Sequence, residues 1–188
     1  MTEENPPGAV IAVHEGLRHE FARLPITVKA VADGNADRAD VVAGHIALMC
    51  DWLEEFSGGQ DGGEQLASEC ARIRDLAAAW KASPDHQERA ALHAALIALE
   101  RQVLHQLAVD EQRDAAPAGG AESQAVIETV LGPTDGDVRA IRIGLVVADA
   151  SPANRVAFIA AIPADVRAWF DADGIAVYES YRAQLTDY

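Results

Sequence analysis

His14 and His45 are the residues best placed to do chemistry, because each interrupts a helix face that is otherwise apolar. His14 falls in the run Ile11, His14, Leu17, Phe21, Leu24, Val28. His45 falls in the run Val41, His45, Leu48, Trp52, Phe56. Both runs have the spacing of one side of an α-helix. An imidazole turned into a helical core can ligate a metal, carry a proton or act as a hydrogen-bonded core group. The next stretch along the second helix, Glu54-Glu55-Phe56-Ser57-Gly58-Gly59-Gln60-Asp61, supplies no further histidine. His45 reads as a satisfied core histidine, and His19, His86 and His93 as surface residues.

The elements that must position these groups are helices. A first helix runs from Pro6-Pro7-Gly8 to about Ala32, with Pro25 inside it and expected to kink it. Asp33-Gly34-Asn35 stops it, and a second helix runs from about Ala36 to Gly58. A third covers about Glu64 to Ala82, with Leu66, Cys70, Ile73, Leu76, Ala77 and Trp80 on its apolar side. Ser83-Pro84-Asp85 breaks the chain there, and Ser83 or Asp85 can cap a fourth helix from about His86 to Arg113. Its buried stripe is Leu92, Leu96, Leu99, Val103 and Leu107. Shorter helices are expected over Gln124–Leu131, Asp137–Ala148, Pro152–Ala161 and Ala164–Leu185, two of them opened by proline after Ser151 and Ile162. Long helices joined by short turns predict an all-α protein, an antiparallel four-helix bundle with additional C-terminal helices. The expected division is a flexible N-terminus over 1–8, the bundle over 9–114, a linker over 115–123 and C-terminal helices packed on the bundle over 124–188.

Composition narrows the function. The chain has 188 residues, a net charge of −15, 49% hydrophobic residues and only 5% aromatics, which suits an alanine-rich helical protein. The negative field repels phosphate backbones and anionic lipid, so nucleic acid and membrane surfaces are excluded as partners. The N-terminus lacks the basic start and apolar run of a signal peptide, and Cys50 and Cys70 form no CxxC pair, which points to the cytoplasm. No GxGxxG, P-loop, HExxH or GxSxG motif is present.

Several segments resemble the bacterial hemerythrin-like family of cation-binding proteins, in its actinobacterial form. These are Val13-His14-Glu15-Gly16-Leu17-Arg18-His19-Glu20-Phe21-Ala22-Arg23-Leu24-Pro25, then Ala43-Gly44-His45-Ile46-Ala47-Leu48 leading into Asp51-Trp52-Leu53, then Ser68-Glu69-Cys70-Ala71-Arg72-Ile73, and Leu104-His105-Gln106-Leu107-Ala108-Val109-Asp110-Glu111. The tail from Ala150-Ser151-Pro152 to Tyr178-Glu179-Ser180-Tyr181-Arg182 resembles the family's C-terminal region. The resemblance spans most of the chain. It implies a four-helix bundle around a non-heme di-iron site of histidines and carboxylates. Carried over by residue, the first-helix ligand is His14. The second-helix pair falls on Ser57 and on Gln60 or Asp61, and the third-helix histidine on Cys70. The fourth-helix histidine falls on His105 or Gln106, with Asp110 or Glu111 as its acid.

With Ser57 and Cys70 at imidazole positions, and a shortened connection between the second and third helices, the resemblance implies a degenerate site. It would hold no cofactor or a single non-heme metal ion, iron being possible, on some of His14, Asp61, His105 and Asp110, and not a complete di-iron centre. The expected role is binding a small-molecule ligand in the vacated core. The alternative is a cofactor-independent enzyme of specialised metabolism, a cyclase or isomerase, with His14 and Asp110 or Glu111 as the acid–base pair. A scaffold protein without pocket chemistry is the third reading.

Overall fold

Capping side chains and glycine turns delimit the helices. In the computed structural model, which describes residues 7–58, 62–114, 120–132 and 135–186, the chain forms α1 (Pro7–Ala30), α2 (Ala36–Ser57), α3 (Gly63–Ala82), α4 (His86–Asp114), α5 (Gly120–Leu131), α6 (Gly136–Asp149), α7 (Pro152–Ala161), α8 (Ala164–Trp169), a π-turn (Phe170–Gly174) and α9 (Ile175–Thr186). No strand occurs among the described residues, so the all-α class holds. No helix among them is long and apolar enough to cross a membrane. Asp61, most of the expected N-terminal tail and residues 115–119 of the expected linker lie outside the described residues. Helix α5 starts at Gly120 rather than Gln124.

The caps follow the residue types. Gly34 has φ of +81°, which lets the chain turn tightly, and Asn35 then accepts the Arg38 amide at 3.1 Å to open α2. Asp135 accepts the Asp137 amide at 2.8 Å to open α6. Asp85 opens α4, accepting from the amides of Glu88 at 3.0 Å and Gln87 at 2.9 Å, while the Ser83 hydroxyl donates to its other oxygen at 3.0 Å.

These bonds favour the Asp85 carboxylate, the Glu88 amide most and the Ser83 hydroxyl next, and hold it below its ordinary value of 3.8. A carboxyl depressed in the folded state stabilises the fold fully above its unfolded value and loses that contribution as pH falls through the folded one. The first turn of α4 is therefore expected to fray only below 3.8. Amide exchange at Gln87 and Glu88 checks this, and Asp85→Asn should remove the acid step.

The chain divides into two compact units, Met1–His19 with Gln106–Tyr188, and Glu20–His105. In the second unit α2 packs along α3. Its core includes Phe21, Leu24, Val42, Ile46, Met49, Trp52, Ile73, Trp80, Leu92, Leu96 and Leu99. In the first unit α6 carries Ile143, Leu145 and Val146 into the core and packs on α9. The approach of α6 to α9 needs Gly144, because a Cβ there would overlap the Tyr178 ring. Arg139 of α6 stands 6.0 Å from the Trp169 ring. The expected final helix is interrupted by the π-turn, in which the Phe170 ring takes the space that a side chain at Gly174 would need.

Two expected stripes are buried except at Ile11 in α1 and at Val41 and Leu48 in α2. Ile11 is exposed, while Val10 and Val13 are buried. Val41 and Leu48 are half-buried, while Val42 and Met49 are buried. Both helices carry alanine and valine around much of their circumference, so apolar spacing alone does not choose the inward side. The α4 stripe is buried as expected. Helix α1 runs through a buried Pro25 without ending.

Glu15 is a cap supplied from another helix. Its carboxylate accepts the Ser151 amide at 2.8 Å and the Asn154 side-chain amide at 3.0 Å, at the N-terminus of α7. Ser151 makes no side-chain cap of its own. A carboxylate there meets orphan N–H groups and the positive end of the helix dipole. Glu15→Ala is expected to cost about 1 kcal/mol, and Glu15→Gln less. Thermal unfolding of the two variants measures the difference.

Candidate functional site

In the first unit, α1 places His14 in the core and the last part of α4 places Glu111 beside it. Helix α1 is held there by close packing. A Cβ on Gly16 would meet the Val146 Cα of α6 at 3.2 Å, and Glu15 ties α1 to α7. The His14 side chain is 1% exposed and its Nδ1 lies 3.5 Å from Glu111 Oε1. The same oxygen accepts from Arg18 Nη2 at 2.7 Å. Arg18 is one turn on from His14 along α1, so one helix face presents both the imidazole and the guanidinium. Arg18 and Glu111 are each about one-third exposed, so this buried histidine is backed by an ion pair open to solvent. At 3.5 Å the imidazole–carboxylate approach is an electrostatic contact rather than a short hydrogen bond, and catalytic contacts of this kind often tighten when a ligand arrives.

Asp110, 5% exposed, has both carboxylate oxygens within reach of Gln106 Nε2, at 3.1 and 3.3 Å. Glu111 thus meets His14 and Arg18, and Asp110 meets Gln106. His105 is exposed, and Gln106 is the residue directed to Asp110. His105 does not sit as a core ligand, because successive residues on a helix point about 100° apart and the apolar stripe through Val103 and Leu107 turns it outward.

No family model, curated protein or solved structure matches the chain.

The second unit holds a buried polar cluster of its own. His45 Nε2 lies 3.2 Å from Glu20 Oε2, and Glu20 Oε1 accepts from Arg23 Nη1 at 2.6 Å. Glu20 is 1% exposed and His45 3%. His45 is therefore a core histidine with a carboxylate partner, as its place on the apolar face suggests. Ser57 is buried, and its hydroxyl donates to the Leu53 carbonyl of its own helix at 2.8 Å. Cys70 is buried and its thiol meets that of Cys50. Among the described residues, no group of three or more His, Cys, Asp and Glu side chains is arranged to hold a metal ion.

Two residues of these polar clusters escaped the sequence. Arg18 had a signal: a cation one helical turn after an inward histidine, within reach of the same acid. Glu20 had a stronger one. It continues the buried series Val13, Leu17, Glu20, Leu24, Val28 at core spacing, where a carboxylate needs a partner.

Proposed function

We propose that this chain is a hemerythrin-like helical-bundle protein with a degenerate metal site, which binds a small molecule through His14 and carries at most a single metal ion. The observation that supports it is the buried imidazole of His14 facing a carboxylate that Arg18 holds by a 2.7 Å ion pair. The ion pair fixes the position of Glu111, and Glu111 in turn orients the ring. A ligand with a hydrogen-bonding group would meet a polar anchor in apolar surroundings, the usual composition of a small-molecule site.

A di-iron centre does not fit these residues. Ser57 gives its hydroxyl to a backbone carbonyl and Cys70 faces another thiol. Glu111 is shared with a guanidinium, whose charge opposes a cation on the same oxygen. Asp110 and His14 are the ligands left for one ion. The framework in this proposal is the antiparallel four-helix bundle. It is supported by long helices with buried apolar stripes and by the packing of α2 along α3. The acidic charge supports a cytoplasmic protein without nucleic-acid or membrane partners.

The same geometry favours a second reading, a cofactor-independent isomerase or cyclase of specialised metabolism. In it His14 takes a proton from one position of the substrate and returns it at another, and Glu111, positioned by Arg18, stabilises the imidazolium formed between. Proton transfer within one substrate needs no oxidant or cofactor.

Thermal unfolding with a library of small neutral and anionic molecules, and separately with Fe(II) and Zn(II), tests the proposal. A binder present at 100 times its Kd adds about 2.7 kcal/mol. Binders that stabilise the wild type are expected to lose that effect in His14→Gln and keep it in His86→Ala. Binders that stabilise both variants equally would overturn the proposal.

A further inference from the structure

Cys50 and Cys70 take no part in the His14 site, yet the register of α2 against α3 sets them face to face. Ser57, ending α2, lies against Gly63, opening α3: a Cβ on Gly63 would meet the Ser57 carbonyl oxygen at 2.5 Å. Toward the other end, Asp40 of α2 pairs with Lys81 of α3. The helices are therefore antiparallel. About two helical turns back from Ser57 along α2 is Cys50, and about two turns on from Gly63 along α3 is Cys70. Both are free thiols and fully buried. The nearest cation is engaged elsewhere, because Arg74 pairs with Glu54 at 2.7 Å and Asp51 at 2.5 Å.

We propose that Cys50 and Cys70 are a modification site: a low-molecular-weight disulfide converts them to one intramolecular disulfide that ties α2 to α3. In the first step one cysteine loses its proton to solvent and its thiolate attacks a sulfur of the small disulfide. A mixed disulfide forms and one small thiolate leaves. The other cysteine then loses its proton and attacks the protein sulfur of the mixed disulfide, releasing the second small thiolate. The two cysteine sulfurs are oxidised and the small disulfide is reduced to two thiols, which take up the two protons. The hydrogen bond to Cys70, then burial, push the Cys50 thiol well above the usual thiol range, so the closed helix pair is inert. Exchange proceeds when α2 and α3 part locally, and the pair responds slowly to the redox poise around it.

The test is an equilibrium in mixtures of reduced and oxidised glutathione, approached from the reduced native chain and from the unfolded chain, with the same equilibrium measured in denaturant. The disulfide is read by peptide mapping and by thiol alkylation. The expected result is a Cys50–Cys70 disulfide within one chain, whose effective thiol concentration in the folded state exceeds the denatured value by about tenfold or more. By linkage the oxidised chain then melts at higher temperature than the reduced one. Cys70→Ser should give only a mixed disulfide at Cys50. An effective concentration in the folded chain equal to or below that of the denatured chain would overturn the proposal. Products limited to mixed or interchain disulfides would do the same.

Discussion

Glu20→Ala is expected to cost about 3 kcal/mol of folding stability, the scale for removing one partner of a buried charged pair. Glu20 is buried between His45 at 3.2 Å and Arg23 at 2.6 Å. Without it, His45 keeps its buried ring but loses the carboxylate beside it, and a gap opens on the inner side of α1. Arg23 is 43% exposed and can turn to water, which limits the loss to the histidine side. Glu20→Gln keeps the volume and a hydrogen-bonding group, and should cost less than half as much. Glu69→Ala, which breaks the exposed Arg72–Glu69 pair, should cost under about 0.5 kcal/mol. Urea unfolding of the three variants gives the comparison. A Glu20→Ala loss as small as that of Glu69→Ala would mean that the buried cluster contributes no more than a surface pair.

The second large effect belongs to His14. Replacing a general acid–base or anchoring imidazole usually costs about 100-fold or more in turnover, and His14→Gln should cost that much in turnover or ligand affinity. Glutamine keeps polarity and most of the volume, so the fold should survive. Glu111→Gln should act in the same direction with a smaller loss of about tenfold, because the carboxylate works through the ring. His86→Ala and His93→Ala should change little, since His86 is exposed and His93 half-buried away from the core stripe of α4. Retention of full binding or turnover in His14→Gln, with folding intact, would place the site elsewhere.

Helices were easier to read than their inward faces. Gly58, Ser83-Pro84-Asp85, Ser151-Pro152 and Ile162-Pro163 punctuate the chain, and helices begin or end at each of them. Proline and glycine act through backbone geometry, which is local and therefore visible in sequence. The α4 stripe was legible because leucine is concentrated on one side of that helix. On α1 and α2 the apolar residues spread around the helix, so Ile11 was placed inward and Val10 was not. The π-turn at Phe170–Gly174 had no sequence signature, since it depends on how the Phe170 ring packs over Gly174. At the site, His14 was legible from its spacing, and its acid was narrowed to two neighbours. Locating Glu111 beside it required the rotation of α4, which apolar spacing fixes only to within a residue. Glu20 was hidden for a different reason. It stands in a run of charged residues that resembles a solvated face, although its position in the core series marks it as buried.

The central claim, that this all-α chain keeps a His14-centred site without a di-iron centre, is tested most directly by metal analysis of protein purified without added metal, together with its optical spectrum. The arrangement of His14, Glu111 and Arg18, with Ser57 and Cys70 turned to other partners, predicts no more than one metal ion per chain and no oxo-bridged di-iron band. About two irons per chain, accompanied by that band, would contradict it.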